Sequence, residues 1–361
     1  TITDGNIKTI KQNAIPTPHA EGWSTAHHTI SQYLHDMCFD KNGNMYFVSR
    51  FSWGAMSQLS GSADGDVIGI HKLAPDGTTT YKWWVYSDPS IEPTKGEAGI
   101  WGGSDWDNAF SLPTAIWCEG NDIYLGCGDN GTANCVKISI SDTGDILSTK
   151  VLRLNRATDH LAAAIGPYSA PIKGVSVEGD SSTTTPPIAK IRSFSNGDIC
   201  LVTGATNTTS QISGMAVYRY SPTNDTLIKI LSYEDLYDPS TQGNYFTSNK
   251  FDFGKKTKEC GLDIDKSTDT IYLACGAQVS KYTTTADGTI GEATVIAGSA
   301  YAGSVDGVYV NAGGYPPAST VYTPFACSYN SLDGHLYICD PHSTLIRKIN
   351  VATKTVTTLS A

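Results

Sequence analysis

One short pattern recurs five times along the 361-residue chain, and a repeating unit limits the folds that the chain can adopt. The copies are "NMYFVSR", "DIYLGCG", "DICLVTG", "TIYLACG" and "HLYICDP". We call the central residue of each copy the anchor. The anchors are Tyr46, Tyr124, Cys200, Tyr272 and Tyr337. They lie about 65 to 78 residues apart by their numbers, so the chain is predicted to consist of similar units in series.

Each copy sits between further strand-like segments. An apolar stretch precedes it and ends in a turn pair such as Asn42-Gly43, Asn196-Gly197 or Asp333-Gly334, which are strong hairpin signals. Two more apolar stretches follow, and the first carries a basic residue. This basic row consists of Lys72, Lys137, Arg219, Lys281 and Lys348. Four antiparallel strands repeated in this way predict an all-β fold, a β-propeller of four-stranded antiparallel blades, with five blades counted and six possible.

The repeats also set the predicted boundaries. We expect a single β-propeller domain over residues 1–361, in which residues 1–33 supply an N-terminal strand and a connector. The predicted blades cover approximately 34–86, 114–154, 189–232, 259–297 and 324–361.

Composition supports this fold class and excludes some partners. With 35 glycines, 16 prolines and 17% charged residues, the chain suits many short strands joined by polar turns. A net charge of -10 weighs against nucleic acid as a partner. No apolar stretch is long enough to span a bilayer as a helix, and no leader is recognised. The sequence begins with Thr1 and not Met, which fits a processed protein or a segment cut to resemble one, and we expect a protein that is secreted or at the cell surface.

The last repeat carries a family resemblance. "HLYICDPHSTLIRKINVATKTVTTLSA" resembles an NHL repeat, whose strands follow Leu-Tyr-Val-Ala-Asp-like, Ile-Arg-Lys-like and Val-x-Thr-Leu-like patterns. Upstream, "TVIAGSAYAGSVDG" resembles the connector of that family. The match is good over residues 290–361, moderate near residue 260 and in outline elsewhere. The resemblance implies a propeller, commonly six-bladed, that binds partners or ligands. The metal-ligand pattern of related lyases and lactonases is absent from the sequence.

Long connectors join the predicted blades, and loops of about 25 to 35 residues are often functional. They are rich in aromatic residues, which suit stacking on a glycan or binding a protein. The alternative is that these rings hold the loops against the blades. The predicted ligand-binding residues are Trp101, Trp106, Tyr237, Tyr245, Tyr301 and Tyr315.

The segment "GNIKTIKQ" at residues 5–12 resembles a spare fourth strand. Two roles are open to it. The strand closes the ring beside the last blade, or it pairs with a blade of another molecule and builds a homo-oligomer or filament.

Polar residues beside the predicted central channel are the candidates for catalysis. We single out His35, Asp36 and Arg192, since a base facing a cation suits proton abstraction by a lyase. Asp36 and Asp263 are candidates for a carboxylate pair of a glycosidase. The alternative for all of them is simple solvation at a water-filled channel. No nucleophile elbow, metalloprotease motif or phosphate loop is present in the sequence.

The sequence therefore favours a non-enzymatic binding or interaction module for a glycan or a protein, which self-assembles if the N-terminal strand is donated. The alternative is a polysaccharide-active lyase or hydrolase at the channel. We expect no cofactor and no metal. The nine cysteines leave the redox compartment open, although Cys260 with Cys275, or Cys327 with Cys339, flank predicted hairpins and could bridge.

Overall fold

The computed structural model places part of the chain in enough detail to describe it. The described residues are 30–31, 36–51, 67–76, 79–86, 98–101, 113–129, 132–142, 146–153, 188–203, 206–208, 211–213, 216–231, 260–275, 278–285, 288–298, 305–308, 326–340 and 344–360. They form only strands, turns and short irregular segments. No helix among them is long and apolar enough to cross a membrane.

The chain divides into two compact units. Unit 1 comprises Thr1–Cys127, Val136–Val151 and Ala163–Ser169, and unit 2 comprises Gly128–Cys135, Leu152–Ala162 and Ala170–Ala361.

Unit 1 contains the first two four-stranded blades. In the first, the strand order is β2-β3-β4-β5, with β1 also beside β3 and β6 parallel to β5. In the second, the order is β7-β8-β9-β10. The strands are β1 (Ile30–Ser31), β2 (Met37–Phe39), β3 (Met45–Phe51), β4 (Val67–Leu73), β5 (Thr79–Tyr86), β6 (Ala98–Trp101), β7 (Pro113–Glu119), β8 (Asp122–Asp129), β9 (Thr132–Ile140) and β10 (Ile146–Arg153).

Unit 2 contains three further blades. Their orders are β11-β12-β15-β16, β17-β18-β19-β20 and β22-β23-β24-β25, with β21 on the outer edge of β25 and a small β13-β14 hairpin. The strands are β11 (Ile188–Ser193), β12 (Ile199–Thr203), β13 (Thr206–Thr208), β14 (Gln211–Ser213), β15 (Val217–Ser221), β16 (Thr226–Leu231), β17 (Gly261–Asp265), β18 (Thr270–Cys275), β19 (Gln278–Thr284), β20 (Ile290–Gly298), β21 (Gly307–Val308), β22 (Ala326–Asn330), β23 (His335–Asp340), β24 (Leu345–Asn350) and β25 (Thr355–Ser360).

The fold prediction is confirmed: the protein is an all-β chain of five four-stranded antiparallel sheets, the blades of a β-propeller. The anchors lie on the second strand of each blade. Four of them, Tyr46, Tyr124, Cys200 and Tyr272, are buried. β-Branched and aromatic residues suit such a pleated, covered surface, and this explains why the second strands read as apolar runs.

The register between second and third strands explains the basic row. Lys72 lies directly opposite Tyr46, Arg219 opposite Cys200 and Lys281 opposite Tyr272. Lys348 is likewise opposite Tyr337. The same side-chain position is therefore basic in consecutive blades because the pairing register repeats.

The predicted turn pairs lie in the hairpins between first and second strands. Gly43, Gly197 and Gly334 have φ values of 77°, 84° and 68°, a left-handed conformation that favours glycine. In the first of these turns Asp40 Oδ1 accepts hydrogen bonds from the backbone N–H groups of Asn42 and Asn44, each at 2.9 Å. Side-chain capping of this kind satisfies backbone groups where the ladder ends.

Candidate functional site

In unit 2 the first strands of successive blades bring two of the sequence candidates together. Arg192 on β11 lies opposite the anchor Cys200, and Asp263 on β17 lies opposite the anchor Tyr272, so both occupy the same position of the repeat. Arg192 Nε lies 3.7 Å from Asp263 Oδ1, and both side chains are less than one fifth exposed. The pair therefore crosses from the third blade to the fourth.

Asp263 also binds the fifth blade. Its Oδ2 accepts a hydrogen bond of 2.6 Å from the backbone N–H of Tyr329 on β22. Burial raises the pKa of the Asp263 carboxyl, although the Tyr329 N–H group and the Arg192 guanidinium act in the opposite direction. The group is thus a carboxyl whose proton is held more tightly than usual, inside a contact that joins three consecutive first strands.

A pair of tyrosine rings flanks this carboxyl. Tyr272 and Tyr329 stack with centroids 4.7 Å apart and planes 23° from parallel. Burial, and then the neighbouring Tyr329 and Asp265, raise the pKa of the Tyr272 hydroxyl well above its usual range, so it is a neutral phenol at physiological pH. It can donate a hydrogen bond, but it cannot serve as a phenolate base near neutrality.

In unit 1 the candidate Asp36 makes a comparable contact. Asp36 Oδ2 accepts a hydrogen bond of 3.4 Å from the backbone N–H of Ile116 on β7, the first strand of the second blade. Asp36 and Asp263, the predicted carboxylate pair, belong to different compact units, and their pairing stays a prediction. His35 lies outside the described residues, so the predicted set of His35, Asp36 and Arg192 stays a prediction.

The predicted aromatic binding residues fall outside what the structure describes. Only the backbone of Trp101 is placed, at the end of β6, where it pairs with Tyr86 of β5. The others stay predictions and lie outside the described ranges: Trp106, Tyr237, Tyr245, Tyr301 and Tyr315.

The structure gives two residues of the basic row a carboxylate partner. Arg219 Nε lies 2.7 Å from Asp198 Oδ2, and Lys137 Nζ lies 2.9 Å from Asp122 Oδ2. Asp122 is the first residue of β8, and Asp198 lies directly before β12, so each aspartate is at the start of the second strand of the same blade. The sequence signal for these ion pairs is an Asp two residues before the anchor. On its own, an Asp at that position indicates only a turn. These contacts make the basic row structural.

A second contact that the sequence did not reveal ties a connector to the last blade. Arg347 on β24 is fully buried, and its Nη2 donates to Asp306 Oδ1 at 2.7 Å and to the carbonyl oxygen of Val305 at 2.8 Å. Asp306 Oδ2 also accepts from the N–H of Thr358 at 2.9 Å. Partial burial acts to raise the pKa of the Asp306 carboxyl, but the hydrogen bonds from Arg347 and Thr358 prevail and lower it. The contact holds β21 on the outer edge of β25.

These groups allow limited chemistry. The described residues contain no cluster of three or more His, Cys, Asp or Glu side chains that could hold a metal ion. Arg192 with Asp263 offers one largely buried acid beside one cation. Arg192 Nη1 also donates to the carbonyl oxygen of Ile191 on its own strand, and Asp263 accepts from the N–H of Tyr329 on β22. The described arrangement is therefore best suited to holding blades together.

No protein-family model and no curated protein matches the chain. Solved structures similar to it include a structural genomics protein of unknown function from Bacteroides thetaiotaomicron, with 13% identity, a TM-score of 0.45 and coverage of 94% of this chain. This chain spans 59% of that protein's length.

Two further structures are similar at the same level. A chain of the nidogen–laminin complex has 10% identity and a TM-score of 0.44, with 92% of this chain and 80% of that chain covered. A proposed 6-phosphogluconolactonase from Bacteroides uniformis has 10% identity and a TM-score of 0.44, with 90% and 83% covered. Likenesses this distant assign neither a family nor an activity to this chain.

Proposed function

We propose that this protein is a non-enzymatic, secreted or cell-surface β-propeller that binds a glycan or a protein through its connectors. The supporting observation is that the charged candidate residues already bind groups on neighbouring blades. Asp36 binds the N–H of Ile116, and Asp263 binds both Arg192 and the N–H of Tyr329. Charged groups that are used to join blades are poorly placed for proton transfer, whereas the long aromatic connectors are suited to contacting a ligand.

The NHL-like character is part of this proposal. Its two sequence motifs, the Asp-Gly of the connector and the Ile-Arg-Lys of the third strand, meet in the contact between Asp306 and Arg347. The buried guanidinium fixes the connector against the blade before any ligand binds. A connector that is already ordered loses less conformational entropy on binding than a loose one.

The test is binding to a glycan array and to an extracellular protein panel by the wild type and by a triple variant with alanine at Trp101, Trp106 and Tyr315. We expect at least a tenfold loss of affinity in the triple variant. The matched control is Phe39→Ala, which removes an exposed ring at the other end of a first strand, next to the β2–β3 turn. Ligand binding that is unchanged in the triple variant would overturn the proposal.

Self-assembly is a further part of the proposal. The segment 5–12 lies outside the described residues, and the described outer edge of β25 is paired at Thr355 and Val356 by β21. That pairing occupies edge positions that a ring-closing N-terminal strand would need, which favours donation of this strand to another molecule. Light scattering on the full chain and on a version lacking residues 1–12 is the test. An assembly that disperses on truncation supports donation, and equal particle mass for both overturns it.

The second candidate function is a polysaccharide lyase or hydrolase. The observation that favours it is Asp263, whose carboxyl pKa is raised by burial, as a general acid requires. Turnover on a polysaccharide panel that disappears in His35→Ala and in Asp263→Asn, with binding retained, would establish the enzyme. Absence of turnover across the panel would reject it.

A further inference from the structure

Two cysteine side chains from neighbouring blades meet inside unit 1. Cys38 lies on β2 and Cys118 lies on β7, and their Sγ atoms are 2.6 Å apart although the residues are 80 positions apart in the chain. Both side chains are buried, with 2% and 7% of their surface exposed. They belong to one hydrophobic cluster that also includes Tyr46, Ile116 and Ile123.

The backbone holds the two sulfur atoms in this position. Two residues before the cysteines, Asp36, which directly precedes β2, accepts a hydrogen bond from the N–H of Ile116 on β7, again across 80 positions. Contacts at equal offsets show that β2 and β7 run side by side in the same direction. The meeting of Cys38 and Cys118 therefore follows from the register of two packed strands as well as from the side-chain rotamers.

We propose that Cys38 and Cys118 form a disulfide that links the first blade to the second. The sulfur atoms need to approach by only about 0.5 Å to reach the bond length of about 2.05 Å. The sequence offered other pairs, but Cys327 is buried and lies opposite Ile338, whereas Cys339 is exposed and lies opposite Ala326. The side chain of Cys275 lies outside the described residues.

The bond forms by thiol–disulfide exchange with a small disulfide such as oxidised glutathione. One cysteine thiolate attacks the small disulfide, forms a mixed disulfide and releases one thiolate; the second cysteine then displaces the other. The protein loses two protons and two electrons, and the oxidant becomes two thiols. Because the mature pair is buried, we place the reaction during folding, in an oxidising compartment, after which burial shields the bond from reductants.

Refolding followed by peptide mapping tests this proposal directly. The reduced, denatured 361-residue protein is refolded in a buffer of reduced and oxidised glutathione, then unfolded in denaturant that contains N-ethylmaleimide, so that buried free thiols are also blocked, and digested without reductant. We expect mass spectrometry to find the peptides of Cys38 and Cys118 joined in most folded chains. Maleimide on both cysteines of folded protein, or Cys118 joined to another cysteine, overturns the proposal.

A thermal comparison tests whether the bond staples the blades. Wild type refolded with oxidant should melt several degrees higher than wild type refolded and kept in reductant, because the link closes a loop of 80 positions. Cys38→Ala should abolish that difference, and the control Cys200→Ala, a buried cysteine of unit 2, should retain it. If Cys38→Ala does not fold, the difference in melting temperature between the oxidised and reduced forms of the wild type and of Cys200→Ala still tests the proposal. If oxidised and reduced wild type melt at the same temperature, the proposal that the disulfide stabilises the contact between the two blades is overturned.

Discussion

Two contacts between first strands solve the same packing problem with different chemistry. We call β2 with β7 the thiol seam and β17 with β22 the carboxylate seam. Opposite the anchor, the thiol seam has Cys38 and the carboxylate seam has Asp263. Two residues earlier, the thiol seam has Asp36 and the carboxylate seam has Gly261. Each seam thus uses one carboxylate to bind an N–H of the next blade, but at a different position of the repeat.

The exchange of positions has a steric consequence. A Cβ atom added to Gly261 would lie 2.8 Å from the backbone nitrogen of Cys327 and 2.9 Å from the carbonyl carbon of Ala326. The carboxylate seam therefore brings backbones close together where the thiol seam accommodates an aspartate. The comparison shows that the repeat specifies where neighbouring strands meet, whereas the local side chains determine how closely they approach and which interaction joins them.

Gly261→Ala should have the largest effect on this comparison. The new methyl group meets backbone atoms of β22 that cannot rotate away, so we expect the free energy of unfolding to fall by about 2–3 kcal/mol. Urea denaturation measures it. The matched control is Gly291→Ala on β20, where the nearest atom is the hydroxyl of Thr283 at 3.1 Å, which can move. Equal losses in both variants would contradict a tight carboxylate seam.

Arg192→Met should have the next largest effect. It keeps the apolar stem but leaves the Asp263 carboxyl without its cation. We expect the free energy of unfolding to fall by about 2 kcal/mol near neutral pH. The loss is smaller than for a fully buried ion pair because both side chains are partly exposed. The double variant with Asp263→Leu should recover part of this loss. Strictly additive losses in urea denaturation would show that the two side chains do not interact.

The contributions of Asp263 and Asp306 to stability should depend on pH in opposite directions. Burial raises the folded-state pKa of Asp263, so its favourable contribution is present at low pH and is lost as the pH rises through that pKa. Hydrogen bonds lower the folded-state pKa of Asp306, so its contribution is present at neutral pH and is lost on acidification.

Thermal melts between about pH 7 and about pH 3 measure this difference. Relative to Asp263→Asn, the wild type should gain stability as the pH falls. Relative to Asp306→Asn, it should lose stability over the acidic part of the range. The same sign for both comparisons would contradict the assignment of opposite pKa shifts.

Asp36→Ala should have the smallest effect. Its hydrogen bond to Ile116 is 3.4 Å long, against 2.6 Å for the bond from Tyr329 to Asp263. We expect the free energy of unfolding, measured by urea denaturation, to fall by about 0.5 kcal/mol or less. Refolding of the variant and its melting temperature should otherwise be preserved. A loss as large as that of Arg192→Met would show that the two seams depend equally on their carboxylates.

Much of the fold could be read from the sequence because its signals are local. Anchors such as Tyr46 and Tyr272, with turn pairs such as Asn42-Gly43, mark strands and hairpins through periodicity and backbone preference, which act over a few residues. The site was harder to predict. Arg192 and Asp263 were each proposed as channel residues, but their mutual ion pair depends on the packing of separate strands.

The sequence by itself determined the repeat, the four strands of each blade and the basic row, because these depend on short-range pattern and on a register that repeats. Only the tertiary structure decided the partners that are distant in the chain: Cys38 with Cys118, Asp263 with Tyr329 and Asp306 with Arg347. Such pairs lie between 41 and 80 positions apart in the chain, and no local preference encodes a contact at that distance. They form because packed strands bring distant side chains together in a low-dielectric interior where thiols, carboxylates and guanidinium groups need partners.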